Sequence, residues 1–174
     1  GYALTEDDFA RINCDGEGFT KSWTEDKTAI LLANGNPHFD HPICGDSTCE
    51  DTSHALPEGS SWVGVSSLDA ITAAGYYYLT ADVEITNTWE PVDGVTLCLN
   101  GHSITNNEGS DAIDIKKDVT FTLCDCNSSG AGNGKITHGP SANNKGHPVT
   151  GGGVFVDNYG TFIMYSGSIT GNET

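Results

Sequence analysis

The chain has 174 residues, 7 Lys+Arg against 24 Asp+Glu, and a formal net charge of -17. So few cations argue against a partner that is a nucleic acid or an anionic membrane surface, and no apolar run reaches the ~18 residues of a membrane span. With 36% hydrophobic residues, 22 glycines and only 6 prolines, the composition suits short strands joined by many turns.

In chain order, Thr5 stands three residues before Asp8 in a capping-box pattern, which predicts a short helix over residues 5–12. Residues 26–33 are a second short apolar segment, helix or strand, stopped by Asn34-Gly35-Asn36-Pro37. A polar loop follows that carries His38, His41, Cys44, Cys49 and His54. Residues 67–74 offer one more helical turn. Residues 1–62 therefore read as an irregular, partly helical N-terminal cap, and residues 63–174 as a separate region with its own pattern.

From Tyr76 the chain consists of short β-rich runs, each followed within three residues by Gly, Asn or Asp. These runs repeat. Ala112-Ile113-Asp114-Ile115 matches Gly153-Val154-Phe155-Val156, and Val119–Leu123 matches Gly160–Met164, both at an offset of 41 residues. Val95–Leu99 matches Val119–Leu123 at an offset of 24. Gly134-Lys135-Ile136-Thr137 matches Gly167-Ser168-Ile169-Thr170, and Gly101-His102-Ser103-Ile104-Thr105 gives the motif a third time. Constant spacing within strands and variable loops between them is the pattern of a stack in which each coil buries its neighbour's apolar face. The expected columns are Leu97, Phe121 and Phe162; Leu99, Leu123 and Met164; and Ile104, Ile136 and Ile169. The expected fold is all-β: a right-handed parallel β-helix with three short strands per coil, its length differences absorbed at corners such as 127–133 and 139–150. An antiparallel sandwich is the rival, but only Asn100-Gly101 offers a two-residue hairpin turn. No polar terminal cap follows the last run. The stack is therefore expected to continue in further coils or to be covered by another copy.

The runs WEPVDGVTLCLNGHSIT, FTLCDC with GNGKITHG, and GGGVFVDNYGTFIMYSGSITGN resemble repeats of large secreted or surface-anchored proteins of gut-type Gram-positive bacteria. Those repeats are pectate-lyase-like right-handed β-helix segments. HPICGDSTCEDTSH followed by TAAGYYYLTADVEI is similar to the segment preceding the first coil in that family. The resemblance covers residues 38–174, and it implies a secreted or cell-surface location.

His41, Cys44, Cys49 and His54 are the densest ligand set in the sequence and match the donors of a structural Cys2His2 zinc site, with His38 or Cys14 as substitutes. The competing reading is a Cys44–Cys49 disulfide beside solvated histidines. Cys98, Cys124 and Cys126 sit in or beside strand-like runs, as buried small hydrophobes or disulfide partners. Asp82, Glu84, Asp114, Asp118 and Asp125 read as a solvated outer face. No catalytic residue is assigned, because Arg11 lies outside the coils and the paired-Asp and basic patterns of β-helix hydrolases and lyases are not found. Trp62, Trp89 and Tyr76–Tyr78 read as packing of the cap. Tyr159 and Tyr165 are the candidates for stacking on sugars. His102, His138 and His147 read as solvated or corner residues. The expectation is a non-catalytic structural or adhesive module that contacts glycans or host surface proteins. The alternative is a fragment of a carbohydrate-active enzyme, a lyase or glycoside hydrolase, whose site lies in other coils.

Overall fold

The structure, a computed structural model, describes residues 4–11, 19–24, 28–34, 38, 40–108, 111–126, 134–138 and 152–172. Its contacts divide the chain into two compact units, residues 1–38 and 39–174. The expected corner loops 127–133 and 139–150 lie outside the described residues, as do Cys14 and His147.

In the first unit, helix α1 (Glu6–Arg11) starts at the expected capping box. The Thr5 N–H donates to Asp8 Oδ2 at 2.9 Å and the Asp8 N–H to Thr5 Oγ1 at 3.3 Å. The segment left open between helix and strand is a strand. β2 (Ile30–Asn34) pairs antiparallel with β1 (Phe19–Trp23). The Phe9 and Trp23 rings stack with centroids 5.3 Å apart, which gives a helix too short to be stable alone an aromatic partner.

The described residues of the second unit form eleven strands: β3 (Val63–Val65), β4 (Gly75–Leu79), β5 (Val83–Ile85), β6 (Val95–Cys98), β7 (Ser103–Asn106), β8 (Ile113–Ile115), β9 (Thr120–Cys124), β10 (Lys135–His138), β11 (Val154–Val156), β12 (Thr161–Met164) and β13 (Ser168–Ile169). They form a five-stranded sheet in the order β12-β9-β6-β4-β3, a four-stranded sheet β13-β10-β7-β5 and a two-stranded sheet β11-β8. Every strand pair described in this unit is parallel, which excludes the antiparallel sandwich here. From β6 onward the chain visits the three sheets in turn. In the expected helical turn, residues Leu68–Ala70 form a 3-10 turn capped by Ser67, and Leu68 is buried.

Alternation sorts the side chains. Val95, Leu97 and Leu99 point inward with Ile104, Ile113, Ile115, Phe121, Leu123 and Ile136, and all are essentially inaccessible. Each such side chain contributes about 1.5–3 kcal/mol of burial. The Phe121 ring stacks on that of Phe162 at 5.8 Å and receives the edge of Trp89 at 5.5 Å. Ile104, Ile136 and Ile169 form the expected column, and Val83 extends it. The 41-residue offset also holds: Ile113 pairs with Val154 and Phe121 with Phe162.

One register differs from expectation. Val95 pairs with Phe121 and Leu97 with Leu123, so β6 and β9 are offset by 26 residues rather than 24. Leu97 therefore joins the Leu123–Met164 column, where Leu99 was expected. The cause lies in the connectors. Trp89 bridges to Ile113, and the link from Ile113 to Phe121 is two residues longer than that from Trp89 to Val95. A two-residue shift leaves every side chain on its own face, so the hydrophobic pattern does not register it.

Candidate metal centre

The loop from His41 to His54 is built from tight turns. The Ile43 N–H donates to the His54 carbonyl at 2.8 Å and closes its base. Gly45 takes φ +83°, and a Cβ there would stand 3.0 Å from the Asp125 carbonyl oxygen, so only glycine fits both the turn and the approach. Asp46 accepts from the Thr48 N–H and hydroxyl, and Asp51 accepts from those of Ser53. These bonds hold both carboxyls below the usual carboxylate range.

These turns bring Cys44, Cys49 and His54 together, with ligand atoms all within 4.8 Å of one another. Cys49 Sγ lies 3.4 Å from His54 Nδ1. The Cys49 thiol is pushed above its ordinary value. A hydrogen bond from the Asp51 backbone works downward, but desolvation and the Cys44 thiol outweigh it. Cys44 and Cys49 are not joined in a disulfide. Three soft or borderline donors in one loop could hold a metal ion. A fourth tetrahedral position would face a cleft lined by Asp46, Ser47, Asp125, Tyr165 and Ser166.

The structure does not bring His41 to this group. His41 is buried, and its ligand nitrogen lies within 4.8 Å of the sulfurs of Cys98 and Cys126. The physical reason is the Trp62 side chain. It packs on the His41 ring at 4.6 Å and donates from Nε1 to the His41 carbonyl at 3.0 Å, which turns that end of the loop toward the five-stranded sheet. His38, the substitute ligand, belongs to the first unit. Cys98 and Cys124 pair in register and point outward from β6 and β9, opposite to Leu97 and Leu123. With Cys126 and Trp62 they form a small buried cluster against which Tyr76 and Tyr78 pack. Cys98 Sγ lies 3.3 Å from Cys126 Sγ. The Cys98 thiol is pushed well up, first by the Cys124 thiol and then by burial, against hydrogen bonding with Cys126. His41 is raised: burial pulls it down, but Cys126, the Pro42 carbonyl and Asp40 lift it further. Strand alternation sets Cys98 and Cys124 on one outward face, but it carries no signal for His41 or Cys126.

Of the acids expected on a solvated face, Asp82, Glu84 and Asp118 are exposed, while Asp114 and Asp125 are half-buried. Asp125 Oδ1 and Oδ2 accept the backbone N–H groups of Gly101 and Gly134 at 2.7 and 2.8 Å. Asp82 accepts the Ser103 N–H at 2.9 Å, and its Oδ1 lies 3.3 Å from His102 Nδ1. Asp114 pairs with Lys116, and Asp118 with Lys117. Asp69, Glu84 and Glu90 line a groove of about 430 Å³ beside Trp89. His138 is fully buried rather than solvated, because its strand position is inward, in register with Asn106.

Tyr165 packs edge-on against His54 at 4.7 Å, so it forms part of the wall of that cleft. Tyr159 is 80% exposed and takes φ +67°, with Lys117 Nζ 5.7 Å from its ring centroid. No family model, no curated protein and no solved structure matches the chain.

Proposed function

We propose that this chain is a right-handed parallel β-helix segment of a secreted or cell-surface bacterial protein. In this reading it works as a non-catalytic adhesive module, presenting Tyr159 and Tyr165 to glycans or to glycosylated host surface proteins. The observation that carries the reading is Tyr159. The equivalent corner one rung earlier also needs a positive φ and uses Asp118 at +61°, a residue type that tolerates this conformation. A tyrosine there costs on the order of 1 kcal/mol of backbone strain, and at 80% exposure it gains almost no burial in return. An aromatic face held in solvent beside a lysine is the chemistry that stacks on a sugar ring.

The parallel registers, the three-sheet rotation and the resemblance of residues 38–174 to surface-protein repeats support the β-helix part. The outermost strands leave Phe155, Val156, Ile163 and Met164 exposed, an edge suited to a further coil of the same polypeptide or a second copy. Structural zinc at Cys44, Cys49 and His54 would stabilise a loop with little apolar content of its own.

The test is binding on a glycan array. Saturable binding that Tyr159→Ala removes supports the reading, with Tyr165→Ala as a second variant that also touches the cleft wall. Unchanged binding in Tyr159→Ala, or none by the parent protein, overturns it. The enzyme reading has one observation in its favour, the three acids of the groove beside Trp89. It predicts reducing-end or unsaturated-product release from polysaccharide, lost in Glu84→Gln.

A further inference from the structure

We propose that His41, Cys98 and Cys126 form a second metal site, taking a soft divalent cation of the zinc class and fastening the loop to the outer face of the five-stranded sheet. This goes beyond the adhesive reading and does not rest on it. The donors come from three separate stretches: His41 from the loop, Cys98 from the end of β6, and Cys126 from the segment just after β9. Two sulfurs bound to one tetrahedral ion at ~2.3 Å stand ~3.8 Å apart. The observed 3.3 Å therefore needs only a small opening to admit the ion.

Two further bonds prepare the donors. The Cys126 N–H donates to Cys98 Sγ at 3.3 Å, which is the kind of backbone bond that stabilises a thiolate bound to metal. His41 Nδ1 lies 2.6 Å from the Pro42 carbonyl oxygen. A carbonyl only accepts, so Nδ1 carries the proton, and Nε2 is left with the lone pair that a ligand nitrogen requires. The indole of Trp62 covers the His41 ring, and Cys98, Cys126 and His41 are each at most 5% exposed. Thiolate and imidazole donors select zinc over the hard oxygen-seeking cations. The Cys124 thiol is hydrogen-bonded to that of Cys98 and lies on the same outward face of the sheet.

The test separates the two sites by variant. In Cys44→Ser/Cys49→Ser the loop group is removed and the proposed group is intact. Purified with zinc and a reductant, this variant is expected to hold one zinc per chain, with sulfur and nitrogen in its X-ray absorption first shell. Adding Cys126→Ser is expected to abolish that zinc while the far-ultraviolet circular dichroism is kept. If the Cys126→Ser protein does not fold, cadmium NMR of the Cys44→Ser/Cys49→Ser protein decides, since a thiolate-ligated resonance is expected there. Three results would overturn the proposal: no stoichiometric zinc in Cys44→Ser/Cys49→Ser, zinc bound by oxygen and nitrogen alone, or a Cys98–Cys126 disulfide seen by mass spectrometry under the same reducing conditions. A parent protein whose single zinc vanishes in Cys44→Ser/Cys49→Ser keeps the loop site and rejects this one.

Discussion

Asp125 holds Gly101 across a corner of the stack: its Oδ1 accepts the glycine N–H at 2.7 Å while Oδ2 takes the N–H of Gly134 at 2.8 Å. The same device recurs where Asp93 accepts from Thr120 at 2.8 Å and Asp111 from Gly152 at 2.7 Å. A charged acceptor on a part-buried backbone donor contributes roughly 1.5–3 kcal/mol. Asp125→Ala is expected to lower stability by about 2–4 kcal/mol, read as a lower urea midpoint. Asp125→Asn, which keeps one acceptor oxygen, should fall between the two.

Gly134 is the partner that makes this corner tight. A Cβ on it would lie 2.6 Å from Leu99 Cβ and 2.7 Å from Asp125 Oδ1. Gly134→Ala should cost about 1–3 kcal/mol through overpacking. Its effect should couple with Asp125→Ala, so the double variant loses less than the sum of the two single losses. Additive losses in a double-mutant cycle would contradict the geometry.

Phe121 lies fully buried between Trp89 and Phe162. Truncating it to alanine leaves a cavity in the interior and is expected to cost about 3–5 kcal/mol. Phe162→Ala, at a partly buried position of the next rung, should cost less. Thermal unfolding of the two variants side by side checks the order.

Lys116 spans two rungs, pairing with Asp114 and, at 3.1 Å, with Glu90. Hydrogen bonds to those carboxylates, Asp114 first, raise its ammonium above the ordinary lysine value. A raised cationic group adds stability that is fully present below its unfolded pKa and is lost as pH climbs through the folded one. The contribution should therefore fade only in the alkaline range. NMR titration of the Lys116 side chain is expected to show a midpoint above that of free lysine, moving back toward it in Asp114→Asn.

Removing metal should loosen the loop. For the Cys44, Cys49 and His54 group, zinc at a hundred times its dissociation constant would stabilise by about 2.7 kcal/mol. A chelator is expected to lower Tm in the parent protein, and by a smaller amount in Cys49→Ser. An equal shift in both would remove the loop from the list of metal sites.

The sequence shows the stack more readily than the sites. Ile104, Ile136 and Ile169 are legible as a column because each sits in a short run that opens on Gly and ends in Ile-Thr. The 41-residue offset is legible because two strands and their connector repeat together. The β6–β9 offset is hidden, since Val-Thr-Leu and Val-Thr-Phe runs match equally well after an even shift. Cys44, Cys49 and His54 are near neighbours in the chain, so their grouping can be read from spacing. His41, Cys98 and Cys126 meet only through the register of β6 with β9 and the packing of Trp62, which no local pattern encodes. The corner role of Asp125 escapes for the same reason: its partners, Gly101 and Gly134, lie in different rungs.

The unequal connectors between Trp89 and Val95 and between Ile113 and Phe121 show that linker length is independent of how the interior is tiled. Spare residues are extruded sideways while the apolar lattice keeps its faces. A foreign peptide spliced between Lys117 and Asp118 would accordingly be displayed as a lateral bristle, making the chain a ready scaffold for grafted epitopes.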